Sequence, residues 1–386
     1  MTTDLPSFSQ AEYQRRYRSV RNWMQENHLA ALVIYASAYG GDNIRWLTGF
    51  KPRHDTYLIW PLDGEPVLLT QLFNHVPNAQ RVAVIADVRW GGPNSARTVV
   101  EVLKTKGLAE EQVGLIGRVP YLDYKALSAV LPGVTWNSAG KGYMSLRLVK
   151  SREELDWLRQ GAAHTDAAME ALVKAARPGV SEYELVAAIE LAYTAAGGEH
   201  GIHFLSSTPM DAPQSYVPAQ TQSSRQLAVG DVVISELSAG VDGYAGQIHR
   251  AVAVGREPTP HYQHIYDVAL EAYERIVAVL KPGATVGEVL DAADTIETQG
   301  LTVCDDLLHG YGMGYLAPVM RTRQTAHAGQ PPEDFVFQEN MAVVVQPNVY
   351  DSQSGAGLQV GNLLVITNQG TESLQTYPME FFVCGV

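Results

Sequence analysis

A helix–helix–strand pattern that occurs twice in the second half of the chain is the strongest constraint on its fold. The first copy spans residues 151–254 and the second spans residues 259–367. Helical segments in both copies end at Pro-Gly stop signals, Pro178-Gly179 and Pro282-Gly283, and apolar strand segments follow them. This recurrence predicts one α+β domain with an internal duplication.

The first half of the chain has a different pattern, in which apolar strand segments alternate with amphipathic helical segments. A buried strand is predicted at 30–37, and two further strands flank an Asp-Gly turn at 63–64. The alternation predicts an α/β domain. Because 386 residues exceed one ordinary core, the change of pattern near residue 145 predicts two domains, 1–145 and 146–386.

The charge balance argues against two classes of partner. The net charge is −13 and no Lys/Arg-rich run occurs, which disfavours binding to nucleic acid or to an anionic membrane. Cys304 and Cys384 are too few for a disulfide scaffold, and no CxxC motif suggests structural zinc. The amino terminus has no apolar signal-peptide core, and no stretch has the length of a membrane span. We therefore expect a cytoplasmic protein with a small-molecule substrate.

A lone acid ends an apolar run in the segment GDVVISELSAGVDGYAGQIHR at 230–250. Glu236 follows this run, and Gln247 and His249 lie two positions apart, on one face of the predicted next strand. A buried acid at such a place either pairs with an arginine or takes part in proton transfer, since burial raises its pKa. Both interpretations of Glu236 remain open at this point.

Three polar residues further along the chain are candidates for the same site. His309 precedes a Gly-rich segment, GYGMG, where a backbone can approach a ligand closely. Gln346 lies between an apolar run and Pro347 and is therefore expected to be buried. Arg321 has the planar guanidinium that suits a carboxylate clamp, although a solvated loop charge is an equal alternative.

The order and spacing of these segments resemble the creatinase/prolidase/aminopeptidase P superfamily. The resemblance rests on NIRWLTGF at 43–50, LRLVKSREELDWLRQGAAHTD at 146–166, the 230–250 segment, HGYGMG at 309–314, and the strands around Gln346 and Gly361. It implies a creatinase-like α/β domain at the amino terminus and an α+β catalytic domain of the pita-bread fold. It also implies a homodimer.

The resemblance extends to five metal-binding positions, which in the metal-dependent members hold Asp, Asp, His, Glu and Glu. The matching residues here are Glu236, Gln247, His309, Gln346 and Gly361. Two divalent ions require several anionic oxygens, and this set offers one carboxylate. The resemblance therefore implies an enzyme without metal or cofactor, in the branch of creatinase and ectoine hydrolase. Such an enzyme would hydrolyse an amide, amidine or guanidine C–N bond of a small polar metabolite, and would not be a peptidase.

The same resemblance suggests a role for each candidate. The expected catalytic residues are Glu236, His309, His203 and His249. The expected substrate-binding residues are Gln247, Gln346, Tyr216, Arg53 and Arg321. The loop before Gly230 lacks the histidine that creatinase has there, so His203 or Tyr216 would take over its place. Arg53 would reach the active site of the partner subunit.

Three other functions are compatible with the same residues. A cleft of this kind could host a lyase, dehydratase, isomerase or cyclase. It could also belong to a metallopeptidase with unusual ligands, or to a non-catalytic binding protein.

Overall fold

The computed structural model describes residues 7–38, 40–326 and 330–385 of the chain. The chain divides into two units, Met1–Arg147 and Leu148–Val386. The first unit is α/β and the second is α+β, which confirms the predicted fold class. None of the helices in the described parts of the chain is long and apolar enough to span a bilayer.

The first unit is built around a sheet of six strands. Its helices are α1 (Gln10–Glu26), α2 (Asp42–Thr48), α3 (Val76–Val82), α4 (Ser95–Thr105), α5 (Tyr121–Val130) and α6 (Gly140–Ser145). Its strands are β1 (Ala31–Ala36), β2 (Thr56–Pro61), β3 (Val67–Thr70), β4 (Asp87–Trp90), β5 (Gln112–Ile116) and β6 (Thr135–Ser138), in the order β4-β3-β2-β1-β5-β6. Every residue of β1, β2 and β3 is buried, because helices cover this mixed sheet.

The second unit is built around a large, mainly antiparallel sheet. Its helices are α7 (Arg152–Ala175), α8 (Glu182–Thr194), α9 (Pro260–Val279), α10 (Val286–Ala293) and α11 (Thr295–Thr298). The large sheet contains β7 (Glu199–Pro209), β8 (Asp231–Val241), β9 (Tyr244–Ala245), β10 (Ile248–Val254), β12 (Leu308–Gly312), β13 (Gly314–Met320), β14 (Ala342–Val345), β17 (Gly361–Thr367), β18 (Gly370–Ser373) and β19 (Phe382–Cys384). A small sheet contains β11 (Thr302–Val303), β15 (Asn348–Tyr350) and β16 (Gly357–Gln359).

Capping boxes define the start of three helices in this unit. The side chains of Ser151, Ser181 and Thr285 accept a hydrogen bond from the backbone three residues later. A glutamate at that later position bonds back to the backbone of the cap in each case. These local signals define where α7, α8 and α10 begin, so the starts of these three helices are encoded in short segments.

The central order of the large sheet is β13-β12-β14-β17-β10-β8-β7. Helices α7 and α8 cover one face of β8 and β10, where Val233, Leu237 and Val252 belong to their core. Residues of β8 that alternate with these point to the opposite face. Glu236 is one of them, and the register of the sheet brings the other candidate residues to that face.

Candidate functional site

Glu236 lies at the centre of a buried polar group. It pairs in register with His249 on β10, so both side chains project from the same face of the sheet. The amide nitrogen of Gln247 donates to Glu236 Oε1 at 2.6 Å, and His249 Nε2 lies 3.9 Å from the same oxygen. All three residues are buried, with His249 at 0% exposure.

His309 and Gln346 form a second polar pair on this face. His309 Nδ1 lies 3.0 Å from the carbonyl oxygen of Gly310, and Nε2 lies 3.1 Å from the side-chain oxygen Oε1 of Gln346. Burial lowers the pKa of His309, so the ring is neutral near pH 7. The Gly310 carbonyl oxygen and Gln346 Oε1 can both only accept, and a neutral imidazole has one ring proton, so with these atoms one of the two contacts is a hydrogen bond donated by the ring.

The register of four strands brings the two pairs to one face. His249 lies opposite Gly361 on β17, and His309 lies opposite Val344 on β14. Val344 in turn lies opposite Leu363, two residues from Gly361, so both pairs project from the same face. The sequence prediction that Glu236, Gln247, His249, His309 and Gln346 share a site agrees with this placement.

The ionisation of Glu236 reflects two opposing effects. Burial alone would raise the pKa of this carboxyl group. The neighbouring imidazoles of His249 and His309 and the hydrogen bond from Gln247 outweigh burial, and the net pKa is lower than usual. Glu236 therefore holds its ionised form to lower pH than an ordinary glutamate.

Asp305 is a carboxyl group near this site that the sequence reasoning did not single out. It lies between β11 and β12, and burial raises its pKa, as does the charge of Glu236. The environments of Glu236 and Asp305 thus shift two acidic pKa values in opposite directions, that of Glu236 down and that of Asp305 up. The paired acids directly before LLHG were the only sequence signal, and adjacent acids in a loop are common.

Arg321 is already paired with a carboxylate. Its Nε donates to Asp306 Oδ1 at 2.7 Å, and the hydroxyl group of Tyr315 donates to the other oxygen of Asp306. The ring of Tyr315 lies 4.4 Å from the ring of His309, measured between centroids. Arg321 is thus connected to the histidine through one acid and one tyrosine, with its side chain 41% exposed.

His203 lies on the other side of the sheet, contrary to the expectation that it assists Glu236. It pairs with Leu237 on β8, and Phe204 is the residue that pairs with Glu236. Because side chains alternate along a strand, His203 faces α8, where the hydroxyl group of Tyr193 lies 2.9 Å from its Nε2. The sequence offered no way to fix this register.

Tyr216 and Arg53 lie outside the polar group described above. The ring of Tyr216 stacks on Tyr350 of the small sheet, with centroids 4.4 Å apart and planes 15° apart. Arg53 is exposed in the first unit, between α2 and β2. Substrate binding by either residue remains a prediction.

The comparison with known families covers both units. The profile of the creatinase/prolidase N-terminal domain matches residues 16–149. The profile of metallopeptidase family M24 matches residues 156–368, which is more than half of the chain and includes every member of the polar group. The chain belongs to metallopeptidase family M24.

Individual M24 relatives resemble the chain over nearly its whole length. It is 22% identical to a Xaa-Pro dipeptidase of Pyrococcus furiosus, over 93% of this chain and 97% of the relative. It is 27% identical to a Xaa-Pro dipeptidase of Lactobacillus delbrueckii, over 91% of this chain and 94% of the relative. The crystal structure of an X-Pro aminopeptidase from Thermotoga maritima superposes with a TM-score of 0.82 at 20% identity, over 95% and 99% of the two chains, and shows the shared fold.

These relatives correct the expected function. The prediction of a metal-independent C–N hydrolase that is not a peptidase is wrong, because the matched family is one of metallopeptidases and the two relatives above are dipeptidases. The prediction relied on the loss of charge at single positions. Such losses describe missing metal ligands and do not by themselves distinguish a peptidase from another hydrolase.

The five residues that the family resemblance matches to metal-binding positions nevertheless do not fit a centre of two carboxylate-held ions. Gln247 directs its amide nitrogen, which cannot bind a cation, at Glu236. A Cβ atom at Gly361 would lie 2.2 Å from the Val345 carbonyl oxygen and 2.9 Å from His249 Nδ1. The ring of His249 therefore lies beside the position of the last ligand, and this backbone leaves no room for a glutamate there.

Proposed function

We propose that the chain is a peptidase that hydrolyses the peptide bond of short peptides, with Xaa-Pro dipeptides as its first candidate substrates. The M24 match across residues 156–368 carries this proposal, together with the names of the two dipeptidase relatives. A buried acid–amide–imidazole group occupies the matching positions, which is a suitable surrounding for a small polar substrate.

The proposed chemistry assigns the two proton-transfer roles to carboxyl groups. Hydrolysis of a peptide bond needs a base that takes a proton from water and an acid that protonates the departing nitrogen. Glu236, with its lowered pKa, is ionised and can accept the proton. Asp305, with its raised pKa, holds a proton to higher pH than an ordinary aspartate and can donate it.

Other polar side chains of the group would orient the scissile bond. His249 has no hydrogen-bond partner on either ring nitrogen within the described residues, and the same is true of Gln247 Oε1. Buried polar atoms without partners are costly, so a substrate amide that pairs with them is favoured. His309 and Gln346 would complete this surface. In the same proposal, Arg321 binds the substrate carboxylate at the edge of the site. Asp306 already holds the guanidinium of Arg321 in place there.

We also propose that the chain forms a homodimer in which Arg53 contributes to the site of the partner subunit. The family resemblance of the Arg53 loop motivates this arrangement. Arg53 is exposed in its own unit, so its guanidinium is accessible to a second chain.

A substrate screen with matched variants tests the proposed activity. Tag-free protein is assayed on Xaa-Pro dipeptides, other dipeptides and small amidines, as purified and after addition of each of several divalent ions. We expect release of free proline from Xaa-Pro dipeptides, and loss of that release in Glu236→Gln. Glu380→Gln, an exposed acid outside the polar group, is the matched control and should retain activity. Turnover of the amidines without any dipeptide cleavage would reject the peptidase proposal.

A further inference from the structure

A second cluster of metal-binding side chains lies on the opposite face of the large sheet from Glu236. Its members are Glu190 on α8 and His200 and His203 on β7. One ligand atom from each of the three residues lies within 4.8 Å of the other two. His200 Nδ1 is 3.7 Å from Glu190 Oε1, and the hydroxyl group of Tyr193 touches both imidazoles, at 3.3 Å from His200 Nδ1 and 2.9 Å from His203 Nε2.

A β-bulge brings the two histidines to the same side. Residues three apart on a regular strand face opposite sides, but the register of β7 shifts between His200 and Ile202. His200 therefore lies opposite Ala239 and His203 opposite Leu237, two residues of β8 that share a face. A Cβ at Gly201 would lie 2.8 Å from both Cβ and the carbonyl oxygen of Ser238, so the bulge as it stands accepts only glycine.

Helix α8 supplies the third candidate ligand, Glu190, beside the two histidines of β7. Glu190 and Tyr193 are three residues apart in the last turns of α8, so their side chains lie side by side. The side chains of Glu190 and His200 are 49% and 55% exposed, whereas His203 is only 5% exposed. An ion could thus enter from solvent and bind against a fixed inner ligand.

The state of His203 suits metal binding. Its Nδ1 is buried and has no hydrogen-bond partner among the described residues.

We propose that Glu190, His200 and His203 form a site for one divalent transition-metal ion of the zinc class. Two imidazoles and one carboxylate suit Zn²⁺ rather than Mg²⁺ or Ca²⁺, which prefer oxygen ligands alone. Ligand atoms of a tetrahedral zinc ion lie about 3.4 Å apart, so the half-exposed Glu190 and His200 need only a small adjustment. Water or the Tyr193 hydroxyl group completes the coordination. This site is distinct from the M24 ligand positions and ties the end of α8 to the edge strand β7.

Cobalt and zinc titrations test the site with a spectroscopic and a thermal measurement. Tag-free protein is stripped with chelator and titrated with Co²⁺, whose visible absorption reports tetrahedral nitrogen–oxygen coordination, and then with Zn²⁺ in competition. We expect one equivalent of Co²⁺ with tetrahedral bands, displaced by Zn²⁺, and a rise in Tm with Zn²⁺. In Glu190→Gln/His200→Ala the affinity should fall by at least about tenfold and the Tm rise should disappear.

Two control variants separate this site from other metal-binding groups. His261→Ala removes an exposed histidine that lies 3.3 Å from Asp351, and it should leave the titration unchanged. Glu236→Gln alters the polar group on the other face and should also leave it unchanged. The proposal is overturned if the tetrahedral bands persist in Glu190→Gln/His200→Ala, or if Glu236→Gln alone abolishes them. Absence of any stoichiometric binding to the unmodified chain overturns it as well.

Discussion

Glu236 and Asp305 lie in environments that move their pKa values in opposite directions. If they act as base and acid, the pH dependence of kcat/KM has two limbs. Activity falls in acid as Glu236 is protonated, at a pH below the ordinary glutamate pKa. It falls again at higher pH as Asp305 loses its proton, above the ordinary aspartate pKa.

Two substitutions separate these limbs in a pH-rate measurement. Glu236→Gln should lower kcat by about 100- to 10,000-fold, because the base is lost. Asp305→Asn should remove the high-pH limb of kcat/KM while the acid limb stays in place. A high-pH limb that persists unchanged in Asp305→Asn would show that another group supplies the proton.

The crowding at Gly361 gives a residue-scale prediction for stability. A methyl group there would meet the Val345 carbonyl and the ring of His249, so Gly361→Ala should destabilise the protein by about 1–3 kcal/mol, measured as the free energy of unfolding in urea. Gly287→Ala on α10 is the control. The added Cβ atom would have no neighbour closer than Oγ1 of Thr285, at 3.8 Å. Equal stability of Gly361→Ala and the unmodified chain would mean that the strands move apart at little cost.

At the scale of elements, Arg250 holds three segments together. Its guanidinium donates to the carbonyls of Gly361 at the start of β17 and of Tyr377 and Pro378 before β19, and to the side chain of Asn362. Arg250 directly follows His249 on β10, so its side chain points to the opposite face of the sheet. Arg250 is fully buried, so each of these acceptors depends on it.

Arg250→Lys is therefore not a conservative change. A single ammonium group cannot reproduce the fork of donors, and the variant should lose about 2–4 kcal/mol of unfolding free energy. Arg256→Lys, at a surface pair with Asp211, should change stability by less than about 0.5 kcal/mol. Urea unfolding of the two variants measures the difference. Similar losses in both would contradict the role given to Arg250.

Elements whose boundaries are encoded in short segments could be predicted from the sequence. Side-chain positions that depend on the register of paired strands could not. The starts of α7 and α8 belong to the first kind, because the capping boxes at Ser151 and Ser181 each lie within four residues. The face on which His203 lies depends on a bulge at Gly201 and on pairing with β8, more than thirty residues away. The sequence alone therefore did not show that His203 and Glu236 lie on opposite faces of the sheet.

At the scale of the whole molecule, the internal duplication could be predicted from the sequence, because helix stops and strands recur in the same order. The proximity of His249 to Gly361 could not be predicted from the sequence. The two residues are more than a hundred positions apart and meet only through the β10–β17 pairing. Asp305 was missed for the same reason: its pKa depends on Glu236, which lies on a distant strand.

The proposed dimer leads to a test with mixed subunits. Arg53→Ala and Glu236→Gln should each be almost inactive as separate proteins. If Arg53 acts in the partner's site, mixed dimers contain one site with both native residues, and random exchange should restore about a quarter of the activity. Recovery is measured as proline release after co-refolding. Two inactive variants that remain inactive when mixed, in a preparation shown to contain heterodimers, would contradict action between subunits.

The close approach of Gly361 to Val345 and His249 also limits how the site can be engineered. A glutamate placed at position 361 collides with the neighbouring strand as long as that strand and His249 stay where they are. A metal-binding carboxylate can therefore be introduced at this position only together with substitutions that open the space. The order of the substitutions matters, and Gly361→Glu by itself should give a poorly folded protein.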